Sequence, residues 1–237
     1  MSEDNRHILT NYQKALNELN EALAQMARAV STNLQLAFKG LIERDTDVCN
    51  QVLADDDEID QLQMTIDNEG MKILTLFQPV ASDLRRVVSI MKVANDLERV
   101  GDQAANMAKR ARKMNRTDAL DERELLAELH EKAVKQLEDS VQAFAKGDTV
   151  GAVEILKRDA ELNTLCKQVS KQLTQRLETD PANAKGYLHL AFMARFLERI
   201  GDHAKNICED AVYMESAKDI RHSGPKKNAD GSPVPPA

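Results

Sequence analysis

The sequence predicts an all-α protein built from two tandem three-helix bundles packed side by side. Three observations carry that prediction. The 237 residues are 42% apolar but only 3% aromatic, with no Trp and 9 Gly, and they favour Ala, Leu, Glu, Lys and Gln, which lose little freedom in a helix. Apolar side chains recur at intervals of three and four over long stretches, the helical period. Finally, the second half of the chain repeats the first.

The first helix carries Leu9, Tyr12, Leu16, Leu19, Leu23, Met26 and Val30 on one seam, then Leu34, Phe38 and Leu41. It is expected over residues 6–42, a rod of roughly 55 Å at the rise of an α-helix. Asp45 or Thr46 can cap a second helix by accepting from its free backbone N–H groups. Val52, Ile59, Leu62, Ile66, Ile73 and Phe77 form its stripe, and Pro79 ends it. Ser82 or Asp83 is expected to open a third helix, through Leu84, Val87, Met91, Ala94, Leu97 and Met107, to about residue 114.

The polar break Asn115-Arg116-Thr117-Asp118 divides the chain into a first unit, 1–115, and a second, 116–222. The second unit repeats the order: helices over about 120–146, 150–177 and 184–217, with Asp148 or Thr149 as a cap and a break at Thr179-Asp180-Pro181. The stretch 223–237 holds four of the six prolines and almost nothing apolar; it is expected to be a disordered tail.

The repeat can be aligned residue by residue. Ala94 to Asn106 matches Ala194 to Asn206 at a spacing of 100, with eight of thirteen positions identical, and Leu53-x-x-Asp56-x-Glu58 matches Leu156-x-x-Asp159-x-Glu161 at a spacing of 103. Two such blocks in the same order mark a duplicated unit.

Within the repeat, Glu98 and Asp102 stand four apart, as do Glu198 and Asp202, so each pair shares a helix face. Like charges at that spacing repel unless something positive lies between them. A metal ion held by carboxylate oxygens is one answer. Asp56 and Asp60 on the preceding helix, and Asp159 and Asn163 in the second half, supply matching oxygens. The competing reading is a solvated charged face, with Arg99 and Arg199 as neutralising neighbours. Gly101 and Gly201 sit beside the acids in mid-helix, where glycine costs up to ~1 kcal/mol relative to alanine. Their retention points to close approach of another helix, a metal or a partner. Asn163 in place of Asp60 predicts weaker metal binding in the second half.

Other chemistries are excluded. A net charge of −7 argues against nucleic acid, whose phosphates need a basic face. No apolar run approaches a membrane span, and the acidic start Met1-Ser2-Glu3-Asp4 does not read as a secretory signal. Cys49, Cys166 and Cys208 lack metal or disulfide spacing and read as buried thiols of a cytosolic protein. The five histidines are scattered and no Glu-x-x-His pair occurs, which speaks against a di-iron oxidase. His203 stands well around the helix from Glu198. No phosphate-cradling glycine loop or nucleophile elbow is present, so no catalytic apparatus is expected.

Gln78-Pro79-Val80-Ala81-Ser82-Asp83-Leu84-Arg85, followed by Leu97-Glu98-Arg99-Val100-Gly101-Asp102 and again by Leu197-Glu198-Arg199-Ile200-Gly201-Asp202, closely resembles the PhoU family of phosphate-transport accessory proteins. Asp219-Ile220-Arg221-His222 is similar to that family's C-terminal signature. The resemblance covers residues 6–222. It implies a cytoplasmic homodimer that reaches the membrane only through its partners. Those partners are the ATPase subunit of the phosphate ABC transporter and the phosphate-responsive sensor histidine kinase, with the phosphate regulon held off when phosphate is plentiful. It also implies metal ions (Fe, Zn, Mn or Mg) on Glu98, Asp102, Glu198 and Asp202. The Ser82-Asp83-Leu84-Arg85 element has no counterpart at Asn183-Ala184-Lys185-Gly186, so the two halves need not meet the same partner. A carboxylate-site metal enzyme or metal store, and a metal-free helical scaffold, are the rival readings.

Overall fold

The structure, a computed structural model, describes residues 3–221, with side-chain surroundings from Thr10 onward. The tail expected at 223–237, and His222 of the C-terminal signature, lie outside these residues. Among the described residues the regular elements are all helical. The six α-helices are α1 (Glu3–Ile42), α2 (Thr46–Phe77), α3 (Ala81–Met114), α4 (Ala127–Lys146), α5 (Thr149–Thr179) and α6 (Ala184–Ser216).

The apolar seams become the core. Leu16, Leu19, Leu23, Met26, Val30, Leu34 and Leu41 of α1 are buried against Val52, Ile59, Ile66 and Ile73 of α2 and the inner face of α3. Asp45 caps α2, its carboxylate accepting from the N–H groups of Asp47 at 2.9 Å and Val48 at 3.0 Å. Asp148 does the same for α5, accepting from Gly151 N–H at 2.8 Å. The left-handed Gly147 (φ 64°) closes α4 before it, a geometry that glycine adopts without strain.

Two expected helix starts move. Neither Ser82 nor Asp83 caps α3. Gln78 and Ala81 both take positive φ, 47° and 50°, and this turns the chain so that the Val80 carbonyl accepts from Asp83 N–H at 3.1 Å. The first turn therefore closes ahead of the serine. The helix expected from residue 120 begins instead with a tight 3-10 turn, Asp121–Leu126. There Arg123 donates from both its backbone N–H and its guanidinium to the Leu120 carbonyl, and the α-helical pitch starts only at Ala127.

Helices α1, α2 and α3 pack on one another, as do α4, α5 and α6, and the two bundles join mainly where α3 lies along α6. These two central helices run antiparallel. Arg85 donates to the Met214 carbonyl at 3.2 Å, Lys92 reaches Asp210 at 3.2 Å, and Asp96 accepts from His203 at 2.8 Å and Asn206 at 3.0 Å. At the other end Arg110 meets His189 at 3.1 Å and lies over the Phe192 ring, 3.9 Å from its centroid. The repeat relates these ends by a pseudo-two-fold. Asp96–His203 corresponds to Gln103–Phe196, and Lys92–Asp210 to Arg110–Phe192, so one end of the seam is ionic and the other aromatic. A second, sparser contact joins α1 to α4, where His130 stacks on Phe38 with ring centroids 4.1 Å apart.

Candidate metal centres

Both acidic motifs lie on the central helices, each facing the neighbouring helix of its own bundle. The glycines explain how those helices come so near. A Cβ on Gly101 would stand 3.2 Å from Ile59 Cγ2 and 3.9 Å from Asp56 Oδ1, and one on Gly201 would run into Leu162 Cδ2 and stand 3.7 Å from Asp159 Oδ1. The mid-helix glycine thus leaves room for an aliphatic side chain of the facing helix. The aspartate one turn before that side chain is drawn in beside the acidic motif. Ile59 and Leu162 are themselves related by the repeat.

In the first half this places Asp56 and Asp60 of α2 against Glu98 and Asp102 of α3. Burial raises the Asp56 carboxyl above the usual carboxylate range, with the charges of Asp60 and Asp102 adding to the effect. Burial raises Glu98 as well, with Asp102, Asp60 and Asp56 pushing the same way and Arg99 opposing. Arg99 Nε stands 3.3 Å from Glu98 Oε2 and its Nη1 3.5 Å from Asp102 Oδ2. Glu98 Oε2 is nevertheless buried and accepts no hydrogen bond. Four carboxylates, two of them held above the usual carboxylate range and one with a buried oxygen that accepts no hydrogen bond, form a donor set whose chemistry fits a hard cation.

The second half uses the same positions differently. Asp159, Glu198 and Asp202 are brought together, and Asp202 is raised by burial and by the charges of Asp159 and Glu198. Asn163 donates to Asp159 Oδ2 at 2.9 Å and Gln136 of α4 to Asp159 Oδ1 at 3.4 Å. The expected neutralising role of Arg199 falls instead to Arg195, which ion-pairs with Glu198. Cys166 donates its thiol hydrogen to Glu198 Oε2 at 3.3 Å and lies 3.5 Å from the Ala194 carbonyl. Burial and that contact push the thiol up to about 11. Among the described residues, no three His, Cys, Asp or Glu side chains already converge as a closed metal cage. A cation here would be gathered by turning these side chains inward.

Sequence reasoning missed Arg195, Gln136 and Cys166. One signal was available for Cys166: it follows Asp159 by seven residues and Asn163 by three, which keeps it on their helix face. The three histidines whose side chains are described are accounted for by packing. His130 bonds the Leu34 carbonyl at 3.3 Å, and His189 and His203 belong to the seam between the bundles. All three cysteines are buried and free. No helix among the described residues is long and apolar enough to cross a membrane.

Fold and site define a class: a duplicated three-helix bundle whose two central helices each carry an acidic motif fitted to its neighbour through a glycine. A family model described as the PhoU domain matches residues 23–111 and again 126–211. The chain belongs to the PhoU family. A phosphate-specific transport system accessory protein PhoU homolog of Pseudomonas putida is 33% identical over 223 residues, covering 93% of this chain and 87% of the relative. Another so described, from Aquifex aeolicus, is 32% identical over 217 residues, covering 92% and 98%. The crystal structure of PhoU from Pseudomonas aeruginosa superposes with a TM-score of 0.84 at 31% identity, covering 87% of this chain and 100% of that one. The phosphate transport system regulatory protein PhoU from Streptococcus pneumoniae superposes at 0.82 and 26% identity, covering 88% and 99%.

Proposed function

We propose that this protein is a non-enzymatic cytoplasmic adaptor that regulates phosphate uptake and acts as a negative regulator of the phosphate regulon. On this reading it couples the ATPase subunit of a phosphate ABC transporter to a sensor histidine kinase and works as a homodimer. The observation that carries the reading is the family match in both halves of one chain, to relatives described as phosphate-specific transport system accessory proteins. One surface feature supports the partner reading. The tip between α2 and α3 exposes Leu76, Val80 and Leu84, the last of them in the Ser82–Arg85 element without counterpart in the second half, so one end of the molecule offers a helical corner with apolar anchors.

The metal reading belongs to the same proposal. Asp56, Asp60, Glu98 and Asp102 would hold one ion or cluster, and Asp159, Asn163, Glu198 and Asp202 another. Fe, Zn, Mn and Mg all fall within the range of such donors. A bound cation would neutralise carboxylates that now repel, stiffening α2 against α3 and α5 against α6. The second centre has one carboxylate fewer and carries Arg195, so it should bind more weakly. A helical-bundle metal enzyme or store is the alternative from another class.

The test is alkaline phosphatase activity in phosphate-replete cells lacking the gene. High activity, silenced by the restored gene, is the expected result, and unchanged low activity would move the alternative forward. In the purified protein, Glu98→Gln with Asp102→Asn should weaken metal retention, through loss of the first centre, while helical circular dichroism is retained. Loss of helicity would assign the motif a structural role.

A further inference from the structure

Four further carboxylates stand apart from the repeated motifs, where α2, α3 and α6 meet along one side of the seam. A cavity of about 660 Å³ opens there, with Asp67 of α2, Asp96 of α3, and Glu209 and Asp210 of α6 in its wall. Three of its charged groups are already held. Lys92 bonds Asp210 at 3.2 Å, His203 and Asn206 bond Asp96, and Arg221 turns to Asp219 at 2.9 Å. Glu209 is different. It is only 8% exposed, and among the described residues its carboxylate has no hydrogen bond and no close ion pair. We propose that this cavity binds a linear aliphatic polyamine, with one ammonium group on Glu209, a second on Asp67, and the carbon chain between them. The proposal is independent of the metal reading.

The chemistry of the wall selects such a ligand. Burial raises the proton affinity of Asp67, Glu209 and Asp210; for Glu209 the charges of Asp210 and Asp219 add to it, while Lys205 and Arg221 oppose it. A cation brought into the cavity is therefore favoured. A single metal ion does not fit, since no three His, Cys, Asp or Glu side chains among the described residues are grouped to hold one. Ammonium groups joined by a flexible chain can meet separately the acids that one ion cannot gather. Each donates up to three hydrogen bonds, which supplies the partner that Glu209 lacks. Leu74, Val88 and Met91 line the same cavity and give the methylene groups an apolar surface. The repeat places Lys109 where Glu209 stands and Ser170 where Asp67 stands, so the other end of the seam repels a cation and one site per chain is expected.

Calorimetric titration of the full chain with spermidine, in chelator and at about 150 mM salt, tests this. The expected result is saturable binding of one spermidine per chain. Glu209→Gln keeps the shape and removes no hydrogen bond, and it should weaken binding by about tenfold or more. Asp67→Asn should weaken it as well. Glu178→Gln, which alters an exposed acid at the far end of α5, should leave it unchanged. Butylamine, with a single ammonium group, should bind more weakly than spermidine. Wild-type affinity in Glu209→Gln, or an equal loss in Glu178→Gln, would overturn the site and assign the binding to the net negative charge of the chain. No saturable binding to the wild type would overturn it outright. Should Glu209→Gln fail to fold, unchanged affinity in Asp67→Asn would overturn it.

Discussion

Glu98 shows how a single residue can be unfavourable in the resting chain and useful for what the chain binds. Its Oε2 is buried without a hydrogen bond, and burial with three neighbouring carboxylates holds its proton affinity above that of a free glutamate. The folded state therefore binds that proton more tightly than the unfolded state does. Folding stability then falls as pH rises from the ordinary glutamate range through the raised value, and is level above it. In chelator at neutral pH, Glu98→Gln should melt at a higher temperature than the wild type, and the difference should close as pH is lowered. Saturating Mg2+ or Mn2+ should reverse the order, because ion binding to the folded state stabilises only the chain that can bind it. Thermal melts with and without the ion check both statements. The acidic motif itself was legible, because duplication singled it out from the rest of the charged surface. Arg195 and Cys166 were not, since each matters through what stands across from it on another helix.

At the scale of elements, the seams of α1 to α6 were legible because burial of one face imposes a period on the sequence. The starts of α3 and of the second bundle were not. Positive φ at Gln78 and Ala81, and a 3-10 turn at 121–126, are local backbone solutions with no side-chain period. The packing of α1 against α4 was equally hidden. It depends on His130, which burial holds neutral, its pKa pushed down to about 4 despite its bond to the Leu34 carbonyl. Here the unfolded chain takes up the proton first, so this contribution is complete above about pH 6.5 and is lost as pH falls toward about 4. Urea unfolding should show a loss of about 1–2 kcal/mol between pH 7 and pH 5 from this group. His130→Phe should flatten that part of the profile while preserving the stack on Phe38.

For the whole molecule, the decisive contact is the antiparallel pairing of α3 with α6, which sets one bundle against the other. Asp96 is its polar anchor, accepting from both His203 and Asn206. Asp96→Ala strands two donors in a mostly buried seam and should cost about 1–3 kcal/mol in urea unfolding. Gln103→Ala, at the position that the repeat matches to His203, should cost less, because Gln103 Oε1 accepts no hydrogen bond that could be lost. That contrast has an evolutionary consequence. A single unit paired with its own twin across this seam would make every contact twice. The present halves can no longer do so: two copies of the first would set Lys92 against Arg110, and two of the second would set Asp210 against Phe192. Divergence along this one line has turned two copies of one unit into halves whose seam residues complement each other rather than themselves.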